Sequence, residues 1–303
     1  MTKNQFDILT YLEKVQIPQT QRLLSIALQK AIGGINKTIG ELLALGYMAD
    51  GSITEAGLQA LEPYRVKRAV FMAAGFGSRL IPLTLSTPKP LLRVKGVRII
   101  DSILDAIIAV GITEIYIVRG YLAEQFDQLL VKYPSITFLE NPRYCDTNNI
   151  SSAMVARAYM HNAYVMDADL LLMNPDLIGK YQYATNYVGA YTEKTDDWCL
   201  IVKNRYAQKM KLGGMNCYFM YTFSFWTEED GIRLAKHIET VYESPGGKEC
   251  YWDQVALDCF PKEFRIAVRD CSFADLIEID TYQDLVCIDP AYGEGGIRMM
   301  WKS

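Results

Sequence analysis

"FMAAGFGSRLIPLTLSTPKPLL", residues 71–92, decides how this chain is read. An apolar run enters two glycines one residue apart, and an arginine and a Pro-Lys-Pro follow. A glycine-rich turn behind an apolar strand brings backbone N–H groups close to a phosphate. Two common loops of this kind fail here. The ATPase loop needs a lysine and a Ser or Thr after its last glycine, and Gly77 is followed by Ser78 and Arg79. The dinucleotide loop needs a third glycine at position 80, which is Leu80. What remains is still phosphate chemistry. Ala73, Ala74, Gly75 and Gly77 are small enough for close backbone approach, and Ser78 joins them as a candidate nucleotide contact. Arg79 offers a planar fork of donors. Lys89, held between Pro88 and Pro90, supplies a point charge at a fixed place. The competing reading is a tight strand-to-helix turn with incidental charges.

Composition narrows the chemistry. The 303 residues suffice for one large domain or two ordinary ones, and half of them are apolar. A net charge of −4 gives no footprint for nucleic acid or an anionic membrane. No apolar run approaches the roughly 18 residues that span a bilayer, and MTKNQFDIL has no signal-peptide core. The seven cysteines show no CxxC spacing, so the expectation is a reduced, cytoplasmic chain. His161 and His237 are the only histidines. Chemistry must therefore rest on carboxylates, Lys or Arg and a bound hard cation.

Residues 1–65 have their own pattern. Three stretches of helical periodicity, a turn, a brief strand and a fourth helix follow one another. That order resembles a winged helix-turn-helix of the MarR type. Six positive charges (Lys3, Lys14, Arg22, Lys30, Lys37, Arg65) balance six negative ones (Asp7, Glu13, Glu41, Asp50, Glu55, Glu62). Neutrality favours packing or dimerisation, and leaves room for a homodimer, over DNA binding or effector sensing. "LEPYRVK" at 61–67 reads as the linker. Residues 66–303 then alternate short apolar strands with amphipathic helices. This predicts an α/β domain with a Rossmann-like, mostly parallel sheet, whose ligands bind beyond the carboxyl ends of the strands. "LAEQFDQLLVKY" (122–133) is read as a helix and "AYVMDADLLL" (163–172) as one strand.

Two residues apart on that strand, Asp167 and Asp169 would share a face. A carboxylate there, opposite a glycine loop, suits Mg²⁺ held between phosphates; the alternative is a solvated strand end. Aromatic faces attract poorly hydrated quaternary ammonium groups. Trp198, Tyr251 and Trp252, with Asp197 or Asp253, form a candidate cage, or else fill the core. Asn148, Asn149 and Ser151 stand at a helix start where amides and hydroxyls read a pyrimidine or ribose, unless Thr147 or Asn148 is only an N-cap. Gly120 and Tyr121, after a strand, are further nucleotide candidates.

The opening loop resembles the signature AAGxGxRLxPLTxxxPKPL of the nucleoside-triphosphate transferases that make sugar and alcohol nucleotides. Within them the chain is most similar to the bacterial CTP:phosphocholine cytidylyltransferases over most of residues 68–290. "VRGYLAEQFD", "NPRYCDTNNISSA", "VMDADLLL", "TDDW", "YWDQV" and "IEIDTYQDL" occur in the same order. The resemblance implies Mg²⁺-dependent transfer of CMP from CTP to phosphocholine, with CDP-choline and pyrophosphate as products. It implies Asp169 and Asp280 as metal ligands, and Trp198 and Tyr251 at the choline head; Glu278, on the same strand face as Asp280, is a weaker candidate by position. "NNISSA" departs from the pattern, carrying small residues where the family often has aromatics, which puts base and acceptor contacts in doubt. Residues 1–65 are absent from the simplest members. The rival readings are a sugar-1-phosphate or other alcohol-phosphate nucleotidyltransferase, and a nucleotide-sensing DNA-binding regulator.

Overall fold

A computed structural model describes residues 1–293. They form two compact units, Met1–Val66 with Tyr181–Tyr183, and Lys67–Lys180 with the chain from Ala184. In the first unit, α1 (Lys3–Val15), α2 (Gln21–Ala27) and α3 (Ile32–Ala44) precede a hairpin of β1 (Met48–Ala49) and β2 (Ser52–Ile53), and α4 (Glu55–Leu61) follows. Thr2, Thr20 and Thr54 begin three of these helices by accepting amide hydrogens that have no helical partner. The helical spacing buries Phe6, Leu9 and Leu12 of α1 in one cluster with Ile35, Ile39 and Leu42 of α3. The sequence did not foresee that Tyr181–Tyr183 joins this unit. Its reason is aromatic packing: Tyr183 stacks on Tyr64 at 5.6 Å, and the Gln182 N–H donates to the Tyr64 carbonyl at 2.9 Å.

The second unit is built on β3 (Arg68–Ala73), which leads into the glycine loop. The hairpin of β4 (Arg93–Val94) and β5 (Val97–Arg98), α5 (Asp101–Ala109), β6 (Glu114–Arg119), β7 (Ile136–Glu140), α6 (Ile150–Ala156), β8 (Ala163–Asp167) and β9 (Leu170–Leu172) come next. A long hairpin of β10 (Asn186–Lys203) and β11 (Tyr206–Trp226) is followed by α7 (Glu228–Glu243), α8 (Trp252–Gln254), β12 (Ala267–Cys271), β13 (Leu276–Glu278) and α9 (Tyr282–Ile288). The central sheet runs β10-β12-β11-β8-β3-β6-β7. β3 pairs in parallel with both β6 and β8, and β6 with β7, while β11 joins β8 antiparallel. β3 is buried along Ala69–Ala73, as expected for a strand covered on both faces. The expected mostly parallel α/β sheet is present.

Two element readings change. Residues Ala123–Val131 form a 3₁₀ helix rather than an α-helix. Their buried side chains, Phe126 and Leu129, stand three apart, the repeat of that tighter helix. "AYVMDADLLL" is not one strand. β8 ends at Asp167, and β9 leaves the central sheet to pair antiparallel with β13, Leu170 opposite Glu278. Asp167 and Asp169 therefore do not share a strand face; Asp169 lies in the turn between the two strands. The hairpin of β10 and β11, with bulges along its length, carries the "TDDW" motif on its first strand.

Candidate active site

The chain leaves β3 into a turn whose geometry only glycine suits. Gly77 has φ +62, and a Cβ there would approach Thr84 Cγ2 to 3.0 Å and Lys89 Cβ to 3.1 Å. Gly77 thus permits both the left-handed backbone and the close passage of the Lys89 segment. Among the described residues, a Cβ on Gly75 would meet nothing within 4 Å, so this glycine leaves its surroundings open. The Thr84 hydroxyl donates to the Gly77 carbonyl at 2.9 Å, and the Tyr121 hydroxyl donates to the Thr84 carbonyl at 3.0 Å. The Tyr121 N–H bonds the Ala74 carbonyl at 3.1 Å. Tyr121 braces the loop from outside.

The loop forms one wall of a cavity of about 450 Å³. Ala73, Ala74, Gly75, Gly77, Ser78, Arg79 and Lys89 line it, and so do Asn148, Asn149, Ser151, Asp167, Asp169 and Asp280. The cavity opens beyond the carboxyl ends of β3 and β8, where ligands of such sheets bind. On its floor Lys89, nearly buried, donates to Asp169 Oδ2 at 2.7 Å and Asp280 Oδ1 at 3.1 Å. Arg79, largely exposed, donates from Nη2 to the same Asp280 oxygen at 2.7 Å. The pairing of β9 with β13 brings these acids together across more than a hundred residues of sequence.

Electrostatics at this floor is set by crowded carboxylates. Burial works against a charged Lys89, but Asp169 and Asp280 outweigh it and hold its pKa above the ordinary lysine value. Glu278 lies behind them, and burial followed by repulsion from Asp169 and Asp280 pushes its pKa well up. Burial and then Asp169 and Asp253 raise Asp167 in the same way. Asp169, Glu278 and Asp280 each offer an oxygen within 4.8 Å of the others. Among the described residues, Asp169 Oδ1 is buried without a hydrogen-bond partner. An orphaned carboxylate oxygen beside two more oxygen donors fits a hard divalent cation.

Other predicted residues stand elsewhere. The Gly120 backbone does not line the cavity; a Cβ there would strike the Tyr144 ring at 2.7 Å, so Gly120 seats Tyr144, which does line it. The aromatic group divides. Trp198 and Tyr251 meet edge to face at 5.5 Å, with Tyr251 39% exposed. Trp252 is fully buried in the core against Tyr187 and Trp226, and Asp253 is buried with Tyr187 Oη donating to it at 2.7 Å. Neither Trp252 nor Asp253 is placed to cage a ligand, because both are consumed in packing. Asp197 spends one oxygen on the Trp198 N–H at 2.7 Å. The N-cap of α6 is Asn149, without a side-chain cap bond, and not Thr147 or Asn148.

Sequence reasoning overlooked Asn141. It is buried, lines the cavity and donates to the hydroxyls of Ser151 at 2.9 Å and Ser152 at 3.0 Å. It follows the carboxyl end of β7, so its position in a parallel sheet was the available signal.

Together these residues can seat a polyphosphate on small residues and amides, compensate its charge, and leave an α-phosphorus open to attack. That is the work of a nucleotidyltransferase. The Nucleotidyl transferase family profile matches residues 68–217. A 2-aminoethylphosphonate cytidylyltransferase of Lancefieldella rimae is 30% identical over 74% of this chain and 92% of that protein. A choline-phosphate cytidylyltransferase of Streptococcus pneumoniae is 31% identical over 72% of this chain and 94% of its own. The solved structure of the CTP:phosphocholine cytidylyltransferase from Streptococcus pneumoniae superposes with a TM-score of 0.70 over 75% of this chain and 98% of that one, at 31% identity. The chain belongs to the nucleotidyl transferase family.

Proposed function

We propose that the protein transfers CMP from CTP to phosphocholine, giving CDP-choline and pyrophosphate. One observation carries the choice of acceptor. Tyr251 sits on a segment hydrogen-bonded to the cavity wall, Trp252 N–H to Asn149 Oδ1 at 2.9 Å, and Trp198 of β10 meets its ring edge to face. Neither ring lines the cavity itself, but aromatic faces on a segment tied to its wall suit a quaternary ammonium head. The choline-phosphate relative, similar over nearly its whole length, supports the same reading.

In this mechanism a phosphate oxygen of the acceptor forms a bond to the α-phosphorus of CTP. The bond from that phosphorus to the pyrophosphate oxygen breaks in line with it. Arg79 and the loop amides hold the triphosphate, and Lys89 offsets charge where it develops. Asp169 and Asp280, with Glu278 as a further oxygen donor, would hold Mg²⁺, which when bound neutralises phosphate charge. Catalysis is then positioning and electrostatics, and needs neither histidine.

A second reading has its own support. The Lancefieldella relative acts, by its name, on 2-aminoethylphosphonate, and its primary ammonium would need hydrogen-bond acceptors more than aromatic faces. Pyrophosphate release from CTP and Mg²⁺ with phosphocholine, 2-aminoethylphosphonate, phosphoethanolamine and glucose-1-phosphate separates these. We expect the highest kcat/KM with phosphocholine. Preference for the phosphonate would transfer the assignment to it, and silence with every acceptor would remove the enzyme reading. For residues 1–65 we propose a winged helix-turn-helix module used for packing, given its balanced charge. A gel shift with promoter DNA, altered by CDP-choline, would overturn that.

A further inference from the structure

The start of α6 is tied to the segment that carries Tyr251. The Asn148 N–H donates to the Lys248 carbonyl at 2.8 Å, and Asn148 Nδ2 to the Glu249 carbonyl at 3.1 Å. Asn149 Oδ1 accepts the Trp252 N–H at 2.9 Å. A backbone N–H can only donate, so this bond fixes which end of the Asn149 amide faces the segment. On the far side, Trp252 is anchored in the core and Asp253 is held by Tyr187 Oη. Tyr251 therefore stands between a core anchor and a side chain that lines the nucleotide cavity. Among the described residues nothing else bonds the Trp252 N–H. Asn148 and Asn149, read in the sequence as base or ribose contacts, line the cavity and also tie its wall to this segment.

We infer that Asn149 is a positioning residue for the acceptor: it fixes the backbone beside Tyr251 from the wall of the nucleotide cavity and so sets the Trp198–Tyr251 pair against the reacting end of the nucleotide. The inference rests on the acceptor assignment above and names a residue by which that assignment is enforced. Removing the amide leaves the Trp252 N–H unpaired and Tyr251 free to turn from Trp198, without touching the glycine loop or the carboxylates.

Asn149→Ala and Asn149→Asp test it together. Asn149→Ala is expected to raise the acceptor KM about tenfold while the CTP KM stays within about threefold. Asn149→Asp keeps an oxygen at the same place and is expected to restore the acceptor KM, while its charge beside the triphosphate raises the CTP KM. In a double-mutant cycle, Asn149→Ala should add little to the acceptor defect of Tyr251→Ala, because both remove one device. A merely structural role predicts additive losses and both KM values rising together, and either result overturns the proposal. Amide hydrogen exchange of the peptide covering residues 248–254 reads the clamp without turnover. It should quicken in Asn149→Ala at unchanged global melting temperature and return to the wild-type rate in Asn149→Asp. Unchanged exchange refutes the clamp. If wild-type protein turns over no acceptor, the functional assignment has failed, and the exchange measurement still decides the clamp.

Discussion

The glycine loop and the Trp198–Tyr251 pair are assembled in opposite ways. The loop is local: Gly75, Gly77, Arg79 and Lys89 lie within fifteen residues, and Gly77 owes its form to a positive φ and to Thr84 and Lys89 a few residues on. The aromatic pair is remote: one ring comes from a long bulged hairpin, the other from a segment pinned by Asn148, Asn149 and a buried tryptophan. A site built locally leaves a readable motif, because backbone conformation ties residue type to position. A site built by tertiary contact leaves only scattered aromatics, whose role depends on what surrounds them.

This contrast can be broken by mutation. The largest effect is expected on the loop side. Asp169→Ala should lower kcat by about a thousandfold or more, with circular dichroism unchanged. A loss below tenfold in pyrophosphate release would mean the carboxylate floor is not where the reaction occurs. On the acceptor side, Trp198→Ala should raise the phosphocholine KM about tenfold, the range of a desolvated cation–π contact, and leave the CTP KM alone. Equal effects on both substrates would dissolve the distinction between the two regions.

The smallest expected effect concerns stability beneath the aromatic pair. Burial lifts Asp253 from 3.8 to about 7. The folded protein thus binds this proton more tightly than the unfolded chain does. The stabilisation is complete below pH of about 4 and is lost as pH rises through about 7. Asp253→Asn keeps an acceptor for Tyr187 and carries no charge. Its melting temperature should gain on the wild type between pH 5 and pH 8, by about 3 °C or more at the upper end. A constant difference across that range would show that Asp253 does not titrate there.

Much of the nucleotide side was legible. The loop, Asp169 and Asp280 were named from sequence and meet around one cavity. What escaped was set by tertiary structure. No local pattern says that a strand will break after Asp167 and send Leu170–Leu172 to pair with Leu276–Glu278. Asn141 carries no motif, and its importance comes from the serines it holds. Trp252 and Asp253 looked like Tyr251 because adjacency in sequence conceals opposite burial. The excursion of Tyr181–Tyr183 to the first unit depends on Tyr64, far away along the chain.

Lys89 gives the cleft an internal counter-ion. Two carboxylates that share its ammonium, at 2.7 and 3.1 Å, do not need a visitor to tolerate one another. The resting protein can thus keep its acidic floor assembled, so an arriving nucleotide finds the walls already standing. Arg79 adds a second donor to Asp280 at 2.7 Å from the rim, while the lysine wedged between two prolines is the buried part of this readiness, built into the signature itself.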